Sequence, residues 1–426
     1  MSTSPPIKLS KRWHSASEQA ISFLMQQAVE NTEVVSLAAG LVDFSSLPVT
    51  ETRIAVSQLL ADEQTARKAL QYGTTAGSER LRGLLLKHLA RMEGVDVADL
   101  GIDRDQLILT TGSQQLLSLV CEVLLDPGDI CLVAGPTYFV FLGNLNGVDA
   151  ESITIRTDED GMCPRAIEKE LARLKQAGKI DRVKLIYLVS YYDNPSGLCL
   201  SEERRGPIID VARKWSEQHR ILVLEDAAYR ELHYDGPSLP SVWSHDETHD
   251  TVIYTQTFSK SFAPGLRVGY GVVPKDLVFP LCDRKGNEDF GSANFNQHLL
   301  ANVLESGLYE SHVKEVCEAY RSKRDAMLTA ADRYFSDLEG VSWVHPHGGL
   351  YVWMSLPNDI ETGFGSELFK NATQQHGVMY VPGELCYAGP LDERPRHQMR
   401  LSFGVQDLDG ISDGMKRLAA AVAEQC

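Results

Sequence analysis

From about residue 105 the chain alternates short apolar runs with longer stretches in which apolar residues recur every three or four positions. The apolar runs Gln106–Leu109, Ile130–Ala134, Val183–Val189, Ile221–Leu224, Thr251–Thr255 and Val268–Val273 predict strands. Helical periodicity fills several gaps between them, at Ser113–Leu125, Arg165–Gln176 and Ser201–Gln218. Ser201, followed by Glu202 and Glu203, has the makings of an N-cap with acids on the positive end of the helix dipole. Strands apolar on both faces and separated by helices predict an α/β layer around a mostly parallel sheet. After about residue 295 the pattern changes. Asn296–Phe335 reads as one long helix, followed by a strand at Gly349–Ser355, a helix at Ser366–His376, a strand at Gln398–Phe403 and a final helix at Leu408–Glu424. This predicts a smaller α+β domain joined through a long helix. The helical piece Ser15–Glu30 has no pattern that assigns it to either domain, and no internal repeat interrupts the chain.

Composition narrows the function classes. Against 41 Lys and Arg stand 58 Asp and Glu, a net charge of −17, which repels phosphate backbones and argues against nucleic-acid binding. The eight cysteines, at 121, 131, 163, 199, 282, 317, 386 and 426, form no C-x-x-C pair, so they suit a reducing compartment better than a disulfide framework or a zinc site. No apolar run reaches the roughly 18 residues of a membrane span; Leu116–Leu125 is broken by Ser118 and Glu122. Met1–Ser17 is basic and serine-rich without the apolar stretch of a secretory leader, which leaves the cytoplasm as the expected location. His245 with His249, and His345 with His347, lack a third ligand, so no metal is expected. The chain has neither a Walker P-loop nor a strand-linked G-x-G-x-x-G.

The most informative stretch is Thr257-Phe-Ser-Lys260-Ser-Phe-Ala-Pro-Gly265-Leu-Arg267-Val-Gly269-Tyr. A lysine just past a buried strand, among small residues, is placed where burial lowers its pKa and frees a neutral amine for a Schiff base. Arg267 adds a cation that forks onto phosphate oxygens. An aldehyde acceptor and a phosphate on one ligand suggest pyridoxal 5′-phosphate; the alternative is a surface loop with two solvated bases. Asp226 falls at a strand's carboxyl end, where α/β sheets build ligand crevices, and a carboxylate there can keep a pyridinium nitrogen protonated; it could equally cap the next helix. Tyr229 is a phenol three residues on. Asn194-Pro-Ser-Gly197 is a turn signal whose asparagine can donate to a ring hydroxyl. Thr110-Thr-Gly112-Ser113-Gln114 joins a strand to a helix and offers backbone N–H groups to an anion, or is an ordinary helix start. Tyr138, past another strand, can stack on a heterocycle or be a core tyrosine.

Ser113-Gln114, Tyr138, Asn194-Pro-Ser-Gly197, Asp226 with Tyr229, Ser259-Lys260 and Arg267, in that order, resemble the fold-type I pyridoxal-phosphate aminotransferases over roughly residues 15–424. Within them the chain is similar to the class I branch that holds 2-aminoadipate and kynurenine aminotransferases and the aminotransferase-like half of the MocR regulators. The resemblance implies that fold, with an N-terminal segment (1–45) packing with the small domain, a large cofactor-binding domain (46–300) and a small C-terminal domain (301–426). It implies that Lys260 holds the cofactor and shuttles a proton, that Asp226 pairs with the pyridine nitrogen, and that Asn194 and Tyr229 bond the ring oxygen. Tyr138 would stack on the ring, while Ser113, Gln114, Thr257, Ser259 and Arg267 hold the phosphate. Tyr72 resembles the tyrosine that reaches a neighbouring subunit's phosphate, implying a homodimer. Arg400, in Met399-Arg-Leu-Ser-Phe, matches the clamp on the substrate α-carboxylate; without the resemblance it reads as an edge-strand surface charge. Gly40 matches a glycine lining the substrate pocket. The chain departs from the family at Ala227, where a second acid is common, and at Asp193, where a glutamine or histidine is usual and a carboxylate near the ring is expected instead. Across Thr137–Gly147 the match is looser.

The expected reaction moves the α-amino group of an amino acid to a 2-oxo acid, with 2-oxoglutarate as the expected acceptor. The alternatives are another pyridoxal-phosphate reaction on the same scaffold (elimination, decarboxylation or cyclopropane formation), a ligand-sensing module, and a catalytically dead scaffold. Only about 35 residues precede Ser36, too few for the winged helix a MocR-type sensor requires. Ser15–Ser22 contains no arginine for a second carboxylate, which tilts the expected donor towards aromatic or aliphatic amino acids.

Overall fold

The computed structural model describes residues 7–10, 12–13 and 34–425, so the expectations for Ser15–Glu30 lie outside the described residues. Its centre is an eight-stranded sheet in the order Leu107–Thr110, Gly269–Val272, Val252–Thr257, Leu222–Asp226, Val183–Val189, Ile130–Gly135, Glu151–Asp158 and Gly161–Met162. The five strands from Val252–Thr257 to Glu151–Asp158 run parallel. Their central members are buried on both faces, as their unbroken apolar runs require. Gly269–Val272 is antiparallel to both neighbours, because residues 258–268 are too few for a crossover helix. Helices including Ser113–Leu124, Pro164–Gln176 and Glu202–Trp215 connect the strands and flank the sheet.

A second, antiparallel sheet orders Ser342–Trp343, Tyr351–Ser355, Gln398–Ser402 and Val381–Pro382. Val35–Ser36 pairs in parallel with Val378–Met379, tying the start of the described chain to this smaller part. The architecture is the mostly parallel mixed sheet with a smaller α+β part that the pattern predicts.

Three details differ. The long helix expected over Asn296–Phe335 is two, Asn294–Glu305 and Leu308–Phe335, broken where Gly307 takes φ +73°. Ser201 holds the N-cap position of Glu202–Trp215, but its hydroxyl makes no cap bond. Arg400 is no edge charge: its strand is paired on both sides and the residue is 4% exposed. Elements the apolar runs did not mark include Val49–Ala61, Glu79–Glu93 and the partly exposed strand Glu151–Asp158, whose half-solvated side chains blur the strand signal.

Candidate active site

Parallel strands end at one edge of the sheet, so the turns that follow them converge there. Ten predicted residues (Ser113, Gln114, Tyr138, Asn194, Asp226, Tyr229, Thr257, Ser259, Lys260 and Arg267) line one cavity of about 190 Å³. Lys260 follows strand Val252–Thr257 and donates from Nζ to the Gly40 carbonyl at 2.8 Å. Burial, with help from the Arg400 and Arg267 cations, holds its pKa below the ordinary lysine value, against the opposing pull of Tyr351.

Asp226 is the last residue of its strand. It accepts from Tyr187 Oη at 3.1 Å and from the Ala228 amide at 3.1 Å, and burial pushes its carboxyl up to about 6. It caps no helix; the chain beyond it turns directly into Ala227–Leu232. Asn194 reaches Tyr229 Oη through Nδ2 at 3.5 Å, and Tyr229 meets Tyr351 Oη at 3.1 Å.

The other end of the cavity is built for an anion. Gly112, at φ +73°, starts the helix Ser113–Leu124, so the first N–H groups of that helix face the space left by the turn. A Cβ on Gly112 would stand 2.8 Å from Arg267 Nη2, so only glycine lets the guanidinium lie this close. Arg267, itself at φ +51°, folds back to donate to the Thr111 carbonyl at 3.2 Å and to Ser259 Oγ at 3.3 Å. Thr257 Oγ1 donates to Ser259 Oγ at 2.9 Å. Gln114 spends its amide on Asn144 at 3.1 Å, leaving its backbone N–H as its offering to an anion.

A second cavity, about 260 Å³, opens off the first and shares Tyr138, Asn194, Tyr229 and Lys260 with it. Ala38, Ala39, Gly40, Leu41, Phe139 and Tyr351 make it largely apolar, with Arg400 as its cation beside Lys260. Arg400 donates to Asn194 Oδ1 at 2.8 Å and to the Ala38 carbonyl at 2.7 Å, and its guanidinium lies 4.4 Å over the Tyr351 ring. Its buried Nε has no hydrogen-bond partner among the described residues, a donor left for a ligand carboxylate. Gly40 keeps the wall thin: a Cβ there would stand 3.0 Å from Tyr351 Oη.

One expectation changes. Asp193 does not line the first cavity; its carboxylate turns onto Ser196, accepting from Oγ at 2.6 Å, and burial pushes it up to about 7. A short acidic side chain that can close its own turn does so rather than face the ring. Tyr72, 80% exposed against Phe290, lines neither cavity of its own chain. A larger cavity, about 610 Å³, lies behind the Asn194 turn and holds none of the thirteen predicted residues. Among the described residues no group of three or more His, Cys, Asp and Glu could hold a metal; His249 stacks on Trp243 and His347 pairs with Asp235.

Sequence reasoning missed Tyr351, Phe139 and Tyr187. Tyr187 carried a usable signal, since a phenol inside the apolar run Val183–Val189 must find a buried partner, here Asp226. Tyr351 and Phe139 carried none.

A model of the family described as aminotransferase class I and II matches residues 32–409. Aromatic-amino-acid aminotransferase 1 of Thermococcus litoralis is 34% identical over 93% of this chain and 90% of its own. The crystal structure of Pyrococcus horikoshii kynurenine aminotransferase in complex with PMP superposes with a TM-score of 0.87 at 34% identity, covering 98% of this chain and 97% of that one. The α-aminoadipate aminotransferase of Thermus thermophilus, complexed with N-(5′-phosphopyridoxyl)-L-leucine, gives a TM-score of 0.83 at 28% identity over 98% and 97%.

Proposed function

Because this chain belongs to the class I and II aminotransferases, we propose that twelve of the thirteen residues above, all but Tyr72, divide its work between two adjoining cavities. The protein is a pyridoxal 5′-phosphate-dependent aminotransferase that transfers an amino group between an amino acid and a 2-oxo acid. One observation carries the residue assignment: a buried lysine whose pKa burial lowers, a buried carboxylate without a cationic partner, and an arginine beside a helix N-terminus all face one cavity. That donor set fits the cofactor's aldehyde, ring nitrogen and phosphate respectively.

Lys260 Nζ is the attachment amine and the base that moves the substrate's Cα proton. Asp226 holds the ring nitrogen's proton, Asn194 and Tyr229 donate to the ring oxygen, and Tyr138 covers the ring. Ser113, Gln114, Thr257, Ser259 and Arg267 hold the phosphate. Bound there, the cofactor supplies an aldehyde for amine capture and an electron-withdrawing ring. Arg400 clamps the substrate α-carboxylate next to Lys260, with Gly40 giving it room, and the apolar wall of Leu41, Phe139 and Tyr351 excludes water from the reacting carbon.

With Arg400 the cation of this wall beyond Lys260, the pocket suits aromatic or aliphatic donors better than a second carboxylate, with 2-oxoglutarate as the acceptor. The test is the visible spectrum of the purified holoenzyme before and after single amino acids. Phenylalanine, leucine or methionine should bleach the cofactor band with release of the matching 2-oxo acid. A strong preference for 2-aminoadipate would reverse the donor assignment, and a band that shifts without oxo-acid release would point to other chemistry. Arg400→Ala should raise KM for the donor about 10- to 100-fold, the worth of a lost charge-assisted hydrogen bond, in steady-state assays where kcat falls far less.

Tyr72 serves a second copy in this reading. It is exposed together with Leu70 and Phe290, and Asn294 and Asn296 tie its loop and the Arg267 loop to one helix start, through the Gln71 and Leu266 carbonyls. An exposed apolar group beside the anion end of the cavity fits a homodimer interface. We divide the chain into an N-terminal segment (1–45), a large domain (46–300) and a small domain (301–426). All seven cysteines among the described residues are free, which fits a cytoplasmic protein.

A further inference from the structure

Beneath the Lys260 turn, on the side away from the cavity, lies a buried polar cluster that the reaction scheme does not use. Its centre is Glu231, whose side chain is 10% exposed. Oε2 accepts from the Tyr309 hydroxyl and from Gln256 Nε2 at 2.9 Å, and Oε1 stands 3.1 Å from His88 Nε2. Arg91 Nη2 lies 2.8 Å from His88 Nδ1; arginine can only donate, so Nδ1 accepts and the ring's proton faces Glu231.

What matters is where these partners sit. Tyr309, in the first turn of the helix Leu308–Phe335, shares a 2.6 Å hydrogen bond with Ser261, the residue after Lys260. Its ring packs against Phe258 and Phe262 on the same turn. Gln256 precedes Thr257 on the strand that delivers Lys260, and it also accepts from Tyr254 and Tyr270 at 2.7 Å each. Glu231 itself belongs to the turn that carries Tyr229, closed by the Leu232 amide on the Tyr229 carbonyl at 2.9 Å. One carboxylate therefore ties the turn that carries Tyr229 to the strand that runs into Thr257 and, through Tyr309, to the Lys260 turn.

We propose that Glu231, acting through Tyr309 and Gln256, is a positioning residue that fixes Lys260 and Tyr229 relative to each other. The proposal rests on the assignment of Lys260 as the cofactor's lysine. A buried carboxylate that accepts from both Tyr309 and Gln256 restrains the segments that carry them, and a shift of about 1 Å at a reacting amine can cost about 100-fold in rate.

The experiment compares Glu231→Ala, Glu231→Gln and Tyr309→Phe. Two readouts apply: the kcat and KM of the donor half-reaction, and the rate at which cofactor-free protein takes up pyridoxal 5′-phosphate, followed at its absorbance band. Glu231→Ala and Tyr309→Phe should lower both kcat and the uptake rate about 10- to 100-fold, with donor KM within about twofold, since Arg400 is untouched. Glu231→Gln, which keeps an acceptor for Tyr309, should recover to within about threefold of the parent. Combining Glu231→Ala with Tyr309→Phe should be no worse than the poorer single change, because both act on one chain of contacts. Folded variants with parental kcat and uptake, or a Gln variant no better than Ala, would overturn the proposal. If Glu231→Ala does not fold, Tyr309→Phe removes only a hydroxyl and decides the matter alone. Borohydride reduction of the parent holoenzyme, with peptide mapping, separates the two claims. A label on Lys260 beside unaffected variants sinks the positioning role only, and a label elsewhere sinks both.

Discussion

Lys260→Ala is expected to lower transamination by at least about 10⁴-fold, because the substitution removes both the attachment amine and the proton carrier. The variant should still bind pyridoxal 5′-phosphate, since Arg267, Ser259, the helix start at Gly112 and the Asp226–Asn194–Tyr229 group are untouched. Its fold should also survive. The Nζ gives up one 2.8 Å hydrogen bond to the Gly40 carbonyl, and the loss of a buried amine relieves a desolvation cost. The measurement pairs a single-turnover assay with cofactor titration by absorbance. The expected result is a bound cofactor that no longer exchanges its amino group with phenylalanine. Near-parental turnover would put the reactive lysine elsewhere in the chain.

Asp226→Asn is expected to cut kcat about 10²- to 10³-fold, the usual scale for removing one preorganised electrostatic contact to a developing charge. An amide of the same shape keeps the Ala228 contact but cannot hold a protonated ring nitrogen. The same change should alter the cofactor-free protein in the opposite sense. Its carboxyl sits at about 6, raised from 3.8 by burial. A raised value means the folded state favours the protonated form. That contribution to stability is whole below about pH 4 and is lost as pH rises through about 6. Asparagine has no such loss, so the Tm of apo Asp226→Asn relative to the parent should climb between pH 4 and pH 8. From 3.8 to about 6 the difference is on the order of 3 kcal/mol. A relative Tm flat across that range would mean Asp226 is ionised at no cost in the folded protein.

How much of this was legible depended on the range of each cue. Lys260, Asp226, Asn194 and Ser113 each sit just past an apolar run, and Arg267 just before one whose strand returns antiparallel, so the sheet sends all five to one edge. Their meeting in one cavity therefore follows from pattern alone. Asp193 went wrong because a rule about which residue flanks the ring carries no information on side-chain direction, and the carboxylate found Ser196 closer. The long helix broke at Gly307 because one glycine inside a periodic stretch is tolerated as often as it terminates.

The sequence by itself determined the layer architecture, the family, the cofactor and ten residues that line one cavity, since all of these are written in local strings and their order. Tertiary structure alone decided what surrounds them. Arg400 and Tyr351 face each other's rows on an antiparallel pair, Gly40 arrives from a segment more than 200 residues from Lys260, and Glu231 meets Tyr309 across 78. Such contacts depend on how separate elements pack, and packing is set by the sum of many small burial terms, which no short stretch of sequence carries.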